Sequence, residues 1–207
     1  LPPMTFDIRR GEIAFLRDEN YNTGRRLHEC FLGDRGWTSG FFRLNGRLYQ
    51  PGDLGRVIGS EIGIQIERPD RPGGVLFDNM TALDNLCTSL IPKAGQHIIR
   101  KKIVSSILSE ALRWFPKEML LQPLSSWSYP ERLRFSYYRW YLLNPRLLIC
   151  FFPFAGQEST HHKMIIDLLV LCAQRGMAVW IISSGIDAIC EKTDNEEFLR
   201  RLHYLNK

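Results

Sequence analysis

The stretch Leu147-Leu148-Ile149-Cys150-Phe151-Phe152-Pro153 decides the reading of this chain. It is a short apolar run without polar alternation, so it reads as a strand buried on both faces. Residues 131–143 before it are long enough for a helix. Asn144-Pro145 ends that helix, because the residue before a proline is pushed out of the α region. A helix, an Asn-Pro turn, a buried strand and a closing proline form the unit around which the neighbouring segments are placed.

Toward the N-terminus, residues 4–8 alternate and predict a strand, and Ile13-Ala14-Phe15-Leu16 predicts a second, buried one. A polar loop over residues 17–23 then leads into a helix over 24–32, closed by Gly33. Strand, loop and helix in that order present a phosphate site in nucleotide-binding α/β proteins. Residues 39–49 predict a hairpin turning on Asn45-Gly46. Residues 62–66 predict another short strand, and Pro69-Asp70-Arg71-Pro72-Gly73-Gly74 a loop. Thr81 and Asp84 have the spacing of a capping box at the start of a helix. Residues 96–115 carry Ile98, Ile99, Ile103, Val104, Ile107, Leu108, Ala111 and Leu112 on one helical face, ending at Pro116. Residues 124–130 predict a loop.

Toward the C-terminus, residues 160–175 predict an amphipathic helix stopped by Gly176 and residues 177–183 a buried strand. Residues 186–190 and 195–205 predict short helices. Strands separated by helices argue for a largely parallel sheet, and the long helical middle for a subdomain inserted into it. The fold class is therefore α/β: a sheet core, an antiparallel hairpin and a helical subdomain at about residues 78–143 of a single domain spanning 1–207.

Composition narrows the function classes. The chain is 44% hydrophobic and 24% charged, ordinary for a globular protein, and 207 residues suffice for one full α/β core. A net charge of +5 is a mild basic excess without a run of interleaved aromatics, so no nucleic-acid stripe is expected. Five scattered cysteines without a CxxC pair read as a reducing compartment without a disulfide framework or zinc site. No run reaches the roughly 18 apolar residues of a membrane span, so no membrane insertion is expected. Leu1-Pro2-Pro3-Met4 has no basic region followed by an apolar run, and reads as a cut within a longer protein.

Several stretches together resemble the ATPase domain of ABC transporters, in particular the sugar-import type. The strand 147–151 with its proline is similar to the Walker B strand, Gly11-Glu12-Ile13 to the opening of the first core strand, and Ser39-Gly40 with Leu44-Asn45-Gly46 to the hairpin. Residues 77–86 resemble the helix start that reads MTVLENL in that family. Arg139-Trp140, Asn144-Pro145, Gly156 and Ile182-Ser183-Ser184 fall in family places. The resemblance covers nearly the whole chain and implies a P-loop NTPase-like fold.

The same resemblance marks the chemistry as altered. A phosphate loop reads GxxxxGK[ST], where glycines let backbone N–H groups approach phosphate, Lys meets its charge and the hydroxyl binds magnesium. One register puts Asp18, Thr23, Gly24 and Arg25 at the two glycines, the Lys and the hydroxyl; the next puts Glu19, Gly24, Arg25 and Arg26 there. An acidic side chain close to a triphosphate is repulsive, which leaves Gly24, Arg25 and Arg26 as weak candidates for holding an anion. Arg68-Pro69-Asp70-Arg71 looks like the loop that supplies Gln or Glu, with Pro69 in the acidic place. Trp127-Ser128-Tyr129-Pro130-Glu131-Arg132 aligns with the LSGGxQ signature, its glycines replaced by Tyr129 and Pro130. Phe151 stands for the metal-linked Asp, Phe152 for the general-base Glu and Ser183-Ser184 for the switch His, and phenyl rings neither hold magnesium nor take a proton. Glu158 lies near the place of the D-loop Asp. Adjacent His161 and His162 read as surface or capping residues.

These residues imply a degenerate ABC-type ATPase domain, a pseudo-ATPase with a binding, regulatory or structural role. The alternative is an ATP-binding subunit of a sugar transporter that still binds nucleotide. No catalytic residue or metal site is expected, and no cofactor, with ATP and magnesium only under the alternative. The resemblance implies a protein partner, either another ABC ATPase domain or a membrane permease. It places the chain in the cytoplasm, with attachment to the inner face of the membrane as an option. The nucleotide pocket is expected to be closed: Tyr21 across the cradle, Phe151 and Phe152 facing it, and Asp18 or Glu19 paired with Arg17, Arg25 or Arg26.

Overall fold

The computed structural model describes residues 4–37, 39–67, 76–94, 101–156 and 158–205. The Gln- or Glu-supplying loop at residues 68–71, the glycines at 73–74 and the first five positions of the helix expected at 96–115 lie outside these residues. The apolar run 147–151 forms β5 of a five-stranded sheet. In chain order its strands are β1 (Ile13–Arg17), β4 (Ile62–Ile66), β5 (Leu147–Phe151), β6 (Ala178–Ser183) and β7 (Leu202–Tyr204). The sheet order is β4-β5-β6-β1-β7, and every pairing is parallel. All residues of β5 and β6 are buried, as strands covered on both faces require. A separate antiparallel hairpin, β2 (Phe42–Leu44) and β3 (Arg47–Tyr49), turns on Asn45 and Gly46 at φ 51° and 80°. Those are the two positive φ values that a tight hairpin turn demands.

The period of two along the strands sorts their side chains onto two faces. Phe15, Leu148, Cys150, Val179 and Ile181 face α5 (Tyr129–Leu143) and α6 (Ser159–Gln174). Ala14, Leu16, Ile149, Phe151, Trp180 and Ile182 face α1 (Asn22–Leu32) and the hairpin. A third cluster holds α2 (Ala82–Ala94), α3 (Lys101–Ala111) and α4 (Lys117–Leu120) against α5 through Leu86, Ile107, Phe115, Trp127, Phe135 and Tyr138. Two short helices close the chain, α7 (Ile186–Cys190) and α8 (Glu196–Arg201).

Four expectations are corrected. Residues 4–8 form no strand, although Met4, Phe6 and Ile8 do turn inward against the sheet. Both edges of β1 are taken, by β6 and β7, so this segment lies on the sheet instead of pairing with it, and the Phe6 ring meets Trp180 at 5.0 Å. The helix expected over 195–205 ends at Arg201, and the next three residues become the edge strand β7, with Leu205 N–H donating to Phe15 O at 2.8 Å. Residues 124–130 are not all loop. A 3-10 turn spans Leu124–Ser126, and α5 begins at Tyr129 with Pro130 in its first turn, where a missing N–H costs no intrahelical bond. The helix α3 ends at Ala111 in tightened turns through Phe115, so Pro116 caps α4 and does not close α3.

Candidate functional site

The site is built where β1, β5 and β6 end side by side and α1 begins. Arg17 is the last residue of β1, and Asp18 N–H then donates to Ser183 O at the end of β6 (2.9 Å). The chain reverses through Tyr21, whose backbone is left-handed at φ 57°, and α1 starts at Asn22. A helix start leaves N–H groups without intrahelical acceptors and carries partial positive charge. Here the Asp18 carboxylate takes them: Oδ1 accepts from Thr23 N–H at 3.2 Å and Oδ2 from Gly24 N–H at 2.7 Å. Asp18 is only 2% exposed. An anion of the chain itself thus sits where helix starts bind phosphate.

Phe152 closes the space above. It leaves β5 with a left-handed backbone at φ 55°, a conformation that costs a non-glycine residue roughly 1–2 kcal/mol. Its N–H donates to Ile182 O at 2.8 Å, which fixes the turn. Its ring lies on Gly24: a Cβ there would stand 2.5 Å from Phe152 Cζ and 3.2 Å from Asp18 Oδ2. Gly24 is therefore required by the packing of a phenyl ring. Tyr21 meets that ring edge-on at 4.8 Å. Phe151 turns to the sheet's α1 face, is fully buried, and contacts His28 at 5.2 Å. The structure thus brings Tyr21, Gly24 and Phe152 together with Asp18, while Ser183 contributes its backbone carbonyl.

The expected pairing of the acids is corrected in part. Asp18 bonds to the backbone N–H groups of Thr23 and Gly24 and, among the described residues, pairs with none of Arg17, Arg25 and Arg26. Glu19 lies 3.8 Å from Arg17, which also pairs with Asp187. Arg25 and Arg26 are exposed and, among the described residues, form no ion pair with a carboxylate.

The signature-like segment is a helix cap. Glu131 Oε2 accepts from Ser128 N–H at 2.8 Å and from Ser128 Oγ–H at 2.7 Å. The serine hydroxyl and then its N–H hold the Glu131 carboxyl below the usual range. Tyr129 packs against His161 at 5.5 Å, and His162 Nε2 lies 3.3 Å from Phe154 O, so the two histidines are engaged separately. Glu158 N-caps α6 through its backbone. Burial pushes the Cys150 thiol well above its ordinary value and that of Cys172 up to about 12, so both are inert hydrophobes.

One polar group escaped the sequence reading. Gln65 and Glu67 at the end of β4 are buried at 0% and 3% exposure. Gln65 Nε2–H donates to Glu67 Oε1 (2.7 Å) and to Ser136 Oγ (3.2 Å), and Trp140 Nε1–H donates to Gln65 Oε1 (2.7 Å). Glu67 N–H donates to Phe151 O at 3.2 Å, which ties this network to the strand end. The signal was a Gln and a Glu at i and i+2 in an otherwise apolar strand, on one face of it.

No family model matches the chain. It is 25% identical over 194 residues to the putative ribose/galactose/methyl galactoside import ATP-binding protein of Pseudomonas syringae pv. tomato, covering 92% of this chain and 37% of that protein. The fructose import ATP-binding protein FruK of Bifidobacterium longum is 25% identical over 212 residues, covering 97% and 39%. Among solved structures, cbiO1 of Clostridium perfringens, part of an ABC transporter complex, has a TM-score of 0.71 at 19% identity, covering 97% of this chain and 76% of that one. A nucleotide-free ATP-binding cassette from an ABC transporter has a TM-score of 0.67 at 15% identity, covering 98% and 79%. The chain spans 37% of the length of the first of these curated relatives.

Proposed function

We propose that this chain, which has the fold of an ABC-type ATPase domain and resembles sugar-import ATP-binding proteins over most of its length, is a pseudo-ATPase that acts as a binding or regulatory module. The observation that carries this reading is the Asp18 carboxylate on Thr23 and Gly24 N–H. Magnesium-bound ATP would supply a phosphoryl group for transfer, and the residues present do not fit it. A triphosphate at this helix start would compete for the same two donors with a carboxylate, beside a Phe152 ring packed on Gly24. At the strand end, Phe151 and Phe152 offer neither a metal ligand nor a base.

In this reading residues 78–143 act as the helical subdomain of a single domain. The partner is a protein, either another ABC-type ATPase domain or a membrane permease. The chain works in the cytoplasm, at the inner face of the membrane when a permease is the partner. Among the described residues no helix is long and apolar enough to cross a membrane.

The names of the relatives favour a second reading, an ATP-binding subunit of a sugar importer that still binds nucleotide. A thermal-shift titration with Mg-ATP separates the two. Ligand at 100 times its Kd stabilises by about 2.7 kcal/mol, and a domain of this size gains roughly 2–4 °C per kcal/mol. Binding with a Kd near 50 μM would therefore raise Tm by roughly 5–11 °C at 5 mM Mg-ATP. A flat titration and no phosphate release above buffer are expected. A rise in Tm that grows with the logarithm of Mg-ATP concentration would overturn the pseudo-ATPase reading in favour of the second.

A further inference from the structure

The end of the sheet opposite Asp18 carries a second cluster of charge. Parallel strands β1 and β7 begin there side by side, with Ile13 opposite Leu202. The turn before β1 and the end of α8 therefore meet at the sheet's N-terminal edge. Between them lies a cleft of about 570 Å³ whose walls include Arg9, Arg10, Arg200, Arg201 and His203, with Asp7 and Glu12 as its carboxylates.

Its floor is held by backbone. Gly11 has φ 78°, donates its N–H to Met177 O at 3.1 Å, and accepts from Arg201 Nη1 at 2.6 Å. A Cβ on Gly11 would stand 3.1 Å from that Nη1, a tight approach, and the left-handed backbone at φ 78° is what favours glycine here. Arg10 Nε–H donates to Gly176 O at 3.4 Å, which ties a second guanidinium to the loop between α6 and β6. Both guanidinium groups are thus anchored through neutral carbonyls; Arg201 is also paired with Glu197, whereas the carbonyl leaves the charge of Arg10 uncancelled.

Three carboxylates, Asp7, Glu12 and Glu197, stand against the four guanidinium groups and do not balance them. Glu197 alone serves both Arg200 (2.8 Å) and Arg201 (2.6 Å). Glu12 is spent on its own turn, where Oε2 accepts from Arg9 N–H at 2.7 Å, and the His203 ring Nδ1 lies 3.9 Å from it. Among the described residues, neither Arg9 nor Arg10 forms an ion pair with a carboxylate. Two guanidinium forks without acids, beside two that share one acid, present several N–H donors to an incoming dianion. Planar forks of this kind match phosphate oxygens two at a time. The cleft is larger than one phosphate and within the range of about 300–1,000 Å³ typical of small-ligand sites.

The geometry points to this cleft as a binding site for the phosphate group of a small phosphorylated molecule, separate from the start of α1. The site does not rest on the fate of ATP at Gly24, and it stands whichever way the Mg-ATP titration falls. The test is an NMR titration of the whole chain, following the amides of residues 9–12 and 200–203 and the arginine Nε–H signals. Inorganic phosphate and glycerol 3-phosphate are added in turn, at constant ionic strength set with chloride. Saturable shifts confined to these residues are expected with both probes, and tighter saturation with glycerol 3-phosphate identifies an ester as the preferred source. Arg9→Glu should weaken binding at least tenfold, and Arg10→Ala likewise. Arg10→Lys keeps the charge but not the planar fork, so it should bind more weakly than wild type and more tightly than Arg10→Ala. Arg25→Ala with Arg26→Ala should leave the titration unchanged. Shifts that fail to saturate, that survive Arg9→Glu, or that vanish with the Arg25 and Arg26 variants would overturn the assignment.

Discussion

Replacing Asp18 by Ala tests the central contact most directly. The carboxylate accepts two backbone N–H groups at 3.2 and 2.7 Å from a site that is 2% exposed. Losing a capping side chain costs about 0.5–2 kcal/mol. Leaving buried donors without an acceptor adds about 1–3 kcal/mol. Together these give a loss of about 1.5–5 kcal/mol, or roughly 3–20 °C in Tm for a chain of this length. Asp18→Asn keeps one neutral acceptor oxygen and removes the charge, so it should lose about half as much. The assay is urea and thermal unfolding of the three proteins in low and high salt. Because the contact is buried, the difference between Ala and wild type should change little with salt. A Tm for Asp18→Ala within about 1 °C of wild type, or equal losses for Asn and Ala, would refute the claim that this carboxylate holds the helix start.

Two other perturbations probe the surrounding geometry. Gly24→Ala places a methyl 2.5 Å from Phe152 Cζ. Overpacking should cost about 1–3 kcal/mol, and Phe152→Leu in the same chain should recover part of it; additive losses in the double-mutant cycle would show that the two residues do not touch. The Glu131 carboxyl is held below its ordinary range by Ser128, so its contribution to stability is present above its unfolded pKa and is lost as pH falls through the lower folded value. Unfolding at a series of pH values between 6 and 3 should therefore show a smaller loss for Glu131→Gln than for wild type, and parallel curves would contradict the capping role.

Much of the framework is determined by the sequence alone, because it rests on local patterns. The run Leu147–Phe151 has no polar alternation and becomes a strand buried on both faces. Asn45-Gly46 turns a hairpin because both residues tolerate positive φ. Gly33 ends α1 in the left-handed conformation at φ 86°. The acid at Asp18 and the phenyl rings at Phe151 and Phe152 are likewise legible in the sequence, as departures from the phosphate-loop and Walker B patterns that it resembles. Local patterns carry no information about partners distant in sequence, and the tertiary structure decided those. Residues 202–204 follow a helix directly and carry little periodicity of their own; they become a strand because β1 offers an open edge, and the same pairing keeps residues 4–8 out of the sheet. Asp18 looked equally able to meet an arginine. The left-handed turn at Tyr21 folds α1 back over it, so the nearest donors are Thr23 and Gly24 N–H. Phe152 reaches Gly24 across more than a hundred residues, because the register of β5 on β6 and of β6 on β1 brings the three strand ends level.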